Sequence, residues 1–360
     1  MKIVTIIGAR PQFIKAAAVS DAILRSAASG SNIEEIVIHT GQHYDSNMSD
    51  VFFNEMNLPK PAYFLNINGL SHGAMTGQML EEIEKVLLKE KPDWVLVYGD
   101  TNSTLAGALA ASKLHIKLAH VEAGLRSFNM KMPEEVNRIL TDRVSSLLLC
   151  PTQTAVDNLI NEGYSDFEIV IKNTGDVMLD ASNLFVSHYR APKISLPEKF
   201  ILCTTHRAEN TDNQDKLEAI FKALNEISDE IPVVLPLHPR TRSYIEKYGI
   251  SISKNLHTIS PVGYLEMIYL LKNCEMVFTD SGGLQKEAYF FNKFCITLRE
   301  QTEWVELVHK GVNILVGSDY QAFMTAFEKA KRFNGDFSEN LYGNGDASDK
   351  IVSTIINHTN

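Results

Sequence analysis

Short β-rich runs alternate with helical patterns along the whole chain, and this alternation constrains the fold more than any other feature. It is the signature of βαβ units, whose strands form a parallel sheet covered by helices. The runs fall into two sets of similar size, at 3–7, 36–38, 94–98, 116–120, 147–150 and 169–171, then 200–204, 233–237, 256–259, 276–279, 295–298 and 314–316. The pattern therefore predicts an α/β protein with two doubly wound domains.

The length supports two domains as well, because 360 residues correspond to roughly two domains of about 150 residues each. A polar segment with two prolines, residues 191–198, separates the two sets of strands, and we place the linker there. We therefore expect an N-terminal domain over residues 1–190 and a C-terminal domain over 198–340. The amphipathic piece at 351–356 predicts a helix within 341–360 that packs back on the body of the protein.

Composition excludes several classes of protein. Apolar residues make up 44% and charged residues 22%, which is ordinary for a globular chain and too apolar for a disordered one. The net charge of −10, without a basic stripe, argues against nucleic acid as a partner. No apolar run approaches the ~18 residues of a membrane helix, and no signal-peptide pattern precedes the first strand. We therefore expect a cytoplasmic protein without a membrane partner.

The metal-ligating residue types show no metal-site spacing. The four cysteines, Cys150, Cys203, Cys274 and Cys295, lie far apart among mostly apolar residues, and they are interpreted as reduced core thiols. His238 ends a strand, but it has no neighbour at the spacing of a paired zinc ligand. We expect no metal site.

Reactive residue types follow the carboxyl ends of the predicted strands, which is where open α/β sheets bind their ligands. In the first half these are Gly8-Ala9-Arg10-Pro11 with Lys15, Gly41-Gln42-His43, Gly99-Asp100-Thr101 and the stretch 122–126. In the second half they are His206-Arg207, His238-Pro239-Arg240, Asp280-Ser281-Gly282-Gly283 and Arg299-Glu300. The two groups would face one another across a cleft.

Two of these turns could hold an anion. Arg10 stands beside a helix N-terminus, where it could bind phosphate, although a plain turn with Pro at the first helical position is the alternative. Ser281-Gly282-Gly283 precedes a helix that carries Glu287 one turn further on. Such a turn could hold a nucleotide, with phosphate on the amides and a ribose hydroxyl on the carboxylate. The absence of GxxxxGK[ST] and GxGxxG patterns disfavours ATP hydrolysis and NAD binding.

Three carboxylates on separate loops, Asp100, Glu122 and Glu134, suggest acid/base chemistry. Glu122 stands between apolar residues, and an apolar setting would raise its pKa toward neutrality. Glu134 has an alternative interpretation, a surface salt bridge with Arg138 four residues further along the same helix. His206, like His238, ends a strand and is a candidate for the same site.

The ordered motifs resemble those of the non-hydrolysing UDP-N-acetylglucosamine 2-epimerases over essentially the whole chain. The motifs are Gly8-Ala9-Arg10-Pro11 with Lys15, Gly41-Gln42-His43, Gly99-Asp100-Thr101, the stretch 120–126, Pro133-Glu134-Glu135 with Asn137-Arg138, His206-Arg207, and Asp280-Ser281-Gly282-Gly283 with Gln285 and Glu287. The resemblance implies a glycosyltransferase-B-like fold, with two Rossmann-like domains around a cleft and a C-terminal helix that returns to the first domain.

The resemblance also implies roles for individual residues. A UDP-sugar would be the ligand, with its diphosphate at Ser281, Gly282, Gly283 and Arg10, its ribose at Glu287, and further contacts from Lys15, Arg138 and His238. Asp100, Glu122 and Glu134 would be the catalytic carboxylates, and His206 would lie near the phosphate and sugar. The family implies a homodimer and needs neither NAD nor a metal.

Some positions depart from the best-known members of this family. Gln12 stands where they have Glu, Tyr44-Asp45 follows His43 where they have a basic residue, and Ala208 replaces an Arg. They also have an Arg-Pro pair where this chain has Thr302-Glu303-Trp304-Val305-Glu306-Leu307. These features resemble the branch that inverts C2 of UDP-2,3-diacetamido-2,3-dideoxyglucuronate, from gluco to manno, for O-antigen-type sugars. The alternatives are a UDP-N-acetylglucosamine 2-epimerase that makes UDP-N-acetylmannosamine, a retaining UDP-sugar glycosyltransferase, and a non-catalytic nucleotide-sugar sensor.

Overall fold

The computed structural model of the chain describes residues 1–42 and 58–359. His43, Tyr44 and Asp45 therefore lie outside the described residues. Within these two ranges, no helix is both long enough and apolar enough to cross a membrane. The chain divides into two compact units, one formed by Met1–Leu184 with Asn340–Asn360 and the other by Phe185–Glu339.

Over its described residues, the first unit has one parallel sheet of seven strands in the order β3-β2-β1-β4-β5-β6-β7. The strand order reverses between β1 and β4, and this switch point opens a crevice at the carboxyl ends of the strands. Each strand was predicted except β3, which is only two residues long and pairs with β2 at the sheet edge. The strands are β1 (Lys2–Ile7), β2 (Glu34–His39), β3 (Tyr63–Phe64), β4 (Trp94–Tyr98), β5 (Lys117–Val121), β6 (Leu147–Cys150) and β7 (Val170–Asn173).

Local signals begin and end the helices of the first unit. Pro11 stands in the first turn of α1, where its missing N–H leaves no hydrogen bond unmade. Thr101 caps α3 by accepting from the Thr104 amide, and Lys91 ends α2 in the left-handed conformation before Pro92. These helices are α1 (Arg10–Ala28), α2 (His72–Glu90), α3 (Asn102–Lys113), α4 (Pro133–Val144), α5 (Gln153–Asn161) and α6 (Val177–Phe185).

The second unit repeats the same plan. Its parallel sheet has the order β10-β9-β8-β11-β12-β13, with the switch point between β8 and β11. The strands are β8 (Ile201–Thr204), β9 (Val233–Pro236), β10 (Leu256–Ile259), β11 (Val277–Thr279), β12 (Cys295–Thr297) and β13 (Asn313–Leu315). The helices are α7 (Ala208–Thr211), α8 (Gln214–Glu230), α9 (Pro239–Tyr248), α10 (Tyr264–Asn273), α11 (Gly282–Phe290), α12 (Val305–His309) and α13 (Tyr320–Lys331). The predicted α/β class with two doubly wound sheets is confirmed.

The strands are buried on both faces, which explains why they read as continuous apolar runs rather than alternating ones. Every residue of β4 and β6 is buried. All four cysteines are buried free thiols, as the sequence predicted. Burial raises the pKa of the Cys203 thiol well above its usual range, so this thiol stays protonated and unreactive.

The C-terminal helix α14 (Ala347–Asn357) belongs to the first unit. It buries Ile351 and Ile355, and Arg25 of α1 forms an ion pair with Asp349 at 2.8 Å. Asp180 of α6 accepts from the amides of Ala347 (3.2 Å) and Ser348 (2.7 Å), so a residue distant in sequence caps this helix. The linker at residues 191–198 stays a prediction.

Candidate functional site

The turn after β1 is held at the switch point of the first sheet by one buried side chain, Gln12. Its Oε1 accepts from the amides of Gly8 (2.8 Å) and Ala9 (3.0 Å), while its Nε2 donates to the Tyr98 carbonyl (2.8 Å) at the end of β4. A glutamate could accept the first two bonds but could not donate the third. The amide at position 12 therefore joins the two strand ends and fixes the start of α1, where Arg10 lies half-buried.

A buried ion pair lies at the same strand ends. The Lys15 ammonium contacts the Glu122 carboxylate, and the two side chains are 12% and 5% exposed. A Cβ at Gly99 would lie 3.3 Å from Glu122 Oε2 and 3.6 Å from Lys15 Nζ. The absence of a side chain at Gly99 therefore leaves room next to this ion pair. The nearby positive charge of Lys15 favours the ionised form of Glu122.

The backbone at Glu122 is strained. Its φ of +67° lies in the left-handed region, which costs a residue with a Cβ roughly 1–2 kcal/mol. Such strain persists only where the surrounding structure enforces it, and it is concentrated at functional sites. Gly124, two residues on, must be glycine for a packing reason, because a Cβ there would lie 2.3 Å from the Ala155 carbonyl oxygen.

A second charged group surrounds Arg138 of α4. Its guanidinium contacts the Asp100 carboxylate and also Glu135 Oε2, at 2.8 Å. Glu135 is fully buried and accepts from the Ser127 and Phe128 amides, so it anchors the loop before α4. The structure thus brings Arg138 to Asp100, which is one-third exposed. Glu134 lies exposed in the first turn of α4.

A chain of charged groups, buried at His120, Asp142 and Arg126, lies next to these residues and ends at the exposed Glu162. His120 Nδ1 is 2.7 Å from Asp142 Oδ1, and its Nε2 is 2.8 Å from the Gly99 carbonyl oxygen. Asp142 Oδ2 accepts from Arg126 at 2.7 Å, and Arg126 forms a two-bond pair with Glu162. Burial opposes ionisation of Asp142, but His120 and Arg126 outweigh it and lower the pKa of this carboxyl.

Sequence reasoning missed Glu135 and Asp142, although a signal was present. Glu135, Arg138 and Asp142 follow the i, i+3, i+7 spacing of one helix face. A charged face normally points to solvent, whereas all three of these side chains are buried. A charged stripe on a helix next to strand-end carboxylates indicates a buried ionic network in this fold.

In the second unit, Asp280 holds the loop after β8 against the end of β11. Its Oδ2 accepts from the amides of His206 and Arg207, both at 2.9 Å, and from Asn210 Nδ2 at 3.2 Å. The side chain of His206 remains 42% exposed, with Nδ1 3.5 Å from Asp280 Oδ1. Its ring lies 5.7 Å from that of His238, so the two strand-end histidines come together as the sequence suggested.

The two glycines at the start of α11 play different parts. A Cβ at Gly282 would lie 2.5 Å from Glu303 Oε1, whereas a Cβ at Gly283 would meet no atom within 4 Å. A Cβ at Gly282 would therefore require the end of the Glu303 side chain to shift, whereas Gly283 faces open space. Glu303 pairs with buried Arg299 at 3.0 Å. Among the described residues, Nη1 of Arg299 is buried and has no hydrogen-bond partner.

Trp304 lies just after Glu303 and packs against the glycine turn. It is 3% exposed, and its indole N–H donates to the Gly282 carbonyl at 2.9 Å. The Lys286 ammonium lies 4.4 Å from the centre of the indole ring, a cation–π contact. The tryptophan thus holds the glycine turn in place through this hydrogen bond. Glu287, which lies further along α11, is 7% exposed.

Comparison with known proteins agrees with this geometry. The family model of UDP-N-acetylglucosamine 2-epimerases matches residues 25–356. The chain is 56% identical over 361 aligned positions to the UDP-2,3-diacetamido-2,3-dideoxy-D-glucuronate 2-epimerase of Pseudomonas aeruginosa, covering 99% of both chains. This chain therefore belongs to the UDP-N-acetylglucosamine 2-epimerase family, as its motifs predicted.

Other members of the family are also similar. The UDP-N-acetylglucosamine 2-epimerase of Methanococcus maripaludis is 47% identical, with 99% of this chain and 98% of that protein covered. A crystal structure of Methanocaldococcus jannaschii UDP-GlcNAc 2-epimerase in complex with UDP-GlcNAc and UDP superposes with a TM-score of 0.88 at 42% identity. It covers 99% of this chain and 100% of that one. The fold and the enzyme class, an isomerase, are thereby established.

Proposed function

We propose that this protein inverts C2 of UDP-2,3-diacetamido-2,3-dideoxyglucuronate, from gluco to manno, without hydrolysing the nucleotide. The observation that carries the proposal is the buried Lys15–Glu122 ion pair. It supplies an ionised carboxylate, positioned by strained backbone, at the strand ends where this fold binds ligands. The identity to the Pseudomonas aeruginosa enzyme supports this particular substrate.

The chemistry explains why carboxylates are needed. C2 of an N-acetylated sugar has no adjacent carbonyl in the ring, so removing its proton alone would leave an unstabilised carbanion. If a base takes H2 while the C1–O bond breaks, the C2–H electrons form a C1=C2 double bond, and the C1–O electrons leave with UDP. Protonation of C2 from the opposite face, with UDP adding back at C1, gives the epimer. In this reaction a proton is removed and returned at C2 and UDP leaves and returns at C1, while no hydride is transferred.

We propose that the turn at the start of α11 stabilises the negative charge that develops on UDP as it leaves. The Ser281, Gly282 and Gly283 amides would bind the diphosphate together with Arg10, and Glu287 would bind the ribose. Open space at Gly283 and the buried donor on Arg299 support this assignment. His206, beside His238, would stabilise the leaving phosphate. The proposal keeps an N-terminal domain over 1–190, which carries the carboxylates, and a C-terminal domain over 198–340, which binds UDP.

We assign the proton transfers to Glu122 and Asp100, with Glu134 as the third carboxylate. Lys15 favours the ionised form of Glu122, which suits a base. Arg138 forms ion pairs with both Asp100 and the buried Glu135. It would therefore contribute to substrate binding by holding Asp100 in place. We further propose that the protein is a cytoplasmic homodimer that supplies an O-antigen-type sugar precursor.

The test is to incubate the protein in D₂O with each candidate sugar nucleotide and to follow C2 by NMR. Inversion with deuterium at C2 is expected for UDP-2,3-diacetamido-2,3-dideoxyglucuronate, and faster turnover of UDP-N-acetylglucosamine would favour the alternative substrate. Glu122→Gln should abolish exchange while leaving UDP binding nearly intact. Glu168→Gln, an exposed glutamate in the same unit, is the control and should exchange normally.

Three results would contradict the proposal. Full exchange in Glu122→Gln would remove this carboxylate from the reaction. Accumulation of free UDP and sugar would indicate a hydrolysing relative. Turnover that occurs only with an added acceptor, and without C2 inversion, would indicate a retaining glycosyltransferase.

A further inference from the structure

The buried histidine His120 has a definite proton count. Its Nε2 faces the Gly99 carbonyl oxygen at 2.8 Å, and a carbonyl can only accept, so Nε2 carries a proton. Its Nδ1 faces Asp142 Oδ1 at 2.7 Å. The other oxygen of this carboxylate already accepts from Arg126 and from the Gly124 amide at 3.1 Å, as an ionised carboxylate would. Nδ1 therefore carries a proton too, and the ring is an imidazolium.

The charges around this ring balance. His120 and Arg126 are the two cations, and Asp142 and Glu162 are the two anions that contact them. The neighbouring titratable groups are Cys150 and Tyr164, and burial is the main reason that the pKa of each is raised, so both are neutral. His120 and Asp142 are fully buried, so solvent does not screen the contact between these two groups.

The imidazolium holds backbone that the reaction needs. The Gly99 carbonyl accepts from His120, and the Gly99 amide donates to Val121 O at 2.9 Å, so this peptide is fixed on both sides. Gly99 has a φ of +62° and Glu122 a φ of +67°. Both left-handed residues lie next to the hydrogen bond between His120 and the Gly99 carbonyl. The network thus ties together the ends of β4 and β5, helix α4 and the residue after α5.

We propose that His120 is a positioning residue, an imidazolium that holds the Gly99–Asp100 turn and the left-handed backbone of Glu122 in the reactive arrangement. The proposal rests on the proposed function for the reaction it serves. His120 itself does not touch the substrate. Its effect should fall on the rate of proton transfer at C2 and not on nucleotide binding.

Two measurements on the full-length protein test this proposal. ¹⁵N-histidine NMR should show a proton on both ring nitrogens of His120 at neutral pH in the wild type. In Asp142→Asn the charge that retains the second proton is gone, and only Nε2 should stay protonated. In kinetics, His120→Gln should lower kcat by roughly 10–100-fold, because small misplacements of reacting groups have effects of this size. KM and UDP affinity should stay close to wild type.

The control is His115→Asn, which alters an exposed histidine just before β5 in a left-handed conformation that asparagine tolerates. It should have wild-type kcat. A far-UV circular-dichroism spectrum and a cooperative thermal transition like those of the wild type show that His120→Gln is folded. A single ring proton on wild-type His120, or wild-type kcat in His120→Gln, would overturn the proposal. A doubly protonated His120 in a protein that epimerises no UDP-sugar would instead contradict the proposed function, while the assignment of the protons would stand.

Discussion

Lys15 and Glu122 stand 107 positions apart in the sequence, yet their side chains form one ion pair at the ends of β1 and β5. Both are nearly buried, so neither charge has bulk water as an alternative partner. Removing the ammonium takes away a cation that stabilises the buried carboxylate, and this disfavours the charged form of Glu122. Glu122 would then tend to take up a proton.

Lys15→Met should therefore reduce kcat/KM by roughly 100-fold, the usual scale of a lost acid/base contribution. Without the ammonium, the protonated form of Glu122 is favoured, and a base is active only when ionised. The acidic limb of the pH–rate profile should consequently move to higher pH. Lys113→Met, which alters an exposed lysine at the end of α3, is the control. An unshifted acidic limb in Lys15→Met would show that Glu122 is not the base.

The two glycines of the α11 turn can be separated by alanine substitution. Gly282→Ala places a Cβ against the end of the Glu303 side chain, which must shift from its position beside Arg299, so its Tm should fall slightly. Gly283→Ala meets open space and should leave Tm unchanged or slightly higher, because alanine favours helix. If phosphate binds at this turn, Gly283→Ala should still weaken UDP binding in calorimetry. Wild-type UDP affinity in Gly283→Ala would argue against that location.

His39 should make the first unit sensitive to acid. Burial lowers its pKa to about 4, whereas an unfolded histidine titrates near 6.5. The unfolded state therefore binds more protons between these two values, and stability should fall by about 3 kcal/mol as pH drops through this window. His39→Gln should lose this dependence when urea unfolding is measured across the same range.

Glu35 acts in the opposite sense, because burial raises its pKa and the folded state then holds the proton more tightly. The difference between His39→Gln and the wild type isolates the histidine, since Glu35 is common to both. His115→Asn should keep the wild-type pH dependence. Equal slopes for His39→Gln and the wild type would contradict the assignment.

Asp180 should secure the C-terminal helix. It caps α14 through the amides of Ala347 and Ser348, and loss of such a cap costs about 1–2 kcal/mol. Asp180→Ala should destabilise the first unit by that amount and speed proteolytic release of α14. Asp349→Ala removes only an exposed ion pair with Arg25, which is worth about 0–1 kcal/mol at most. Similar proteolysis rates for the two variants would show that the cap is unimportant.

Much of the fold could be predicted from the sequence, because buried parallel strands have a local signature. The apolar stretch of β4 can be recognised from its own residues, without knowledge of the strands that pair with it. The same is true of the helix start at Pro11. The two-residue strand β3 escaped prediction, since its pairing with β2, not its own composition, makes it a strand. The candidate residues could be found for the same local reason, as polar residues at the ends of apolar runs.

The sequence by itself determined the α/β class, the two sets of strands, and the reactive residue types at their ends. Only the tertiary structure decided which of these residues meet: Lys15 with Glu122, Arg138 with Asp100, and His120 with Asp142. The physical reason is that strand formation depends on short-range pattern, whereas an ion pair depends on strand order and register. Parallel pairing brings the carboxyl ends of distant strands to one edge of the sheet, and there residues far apart in the chain become neighbours.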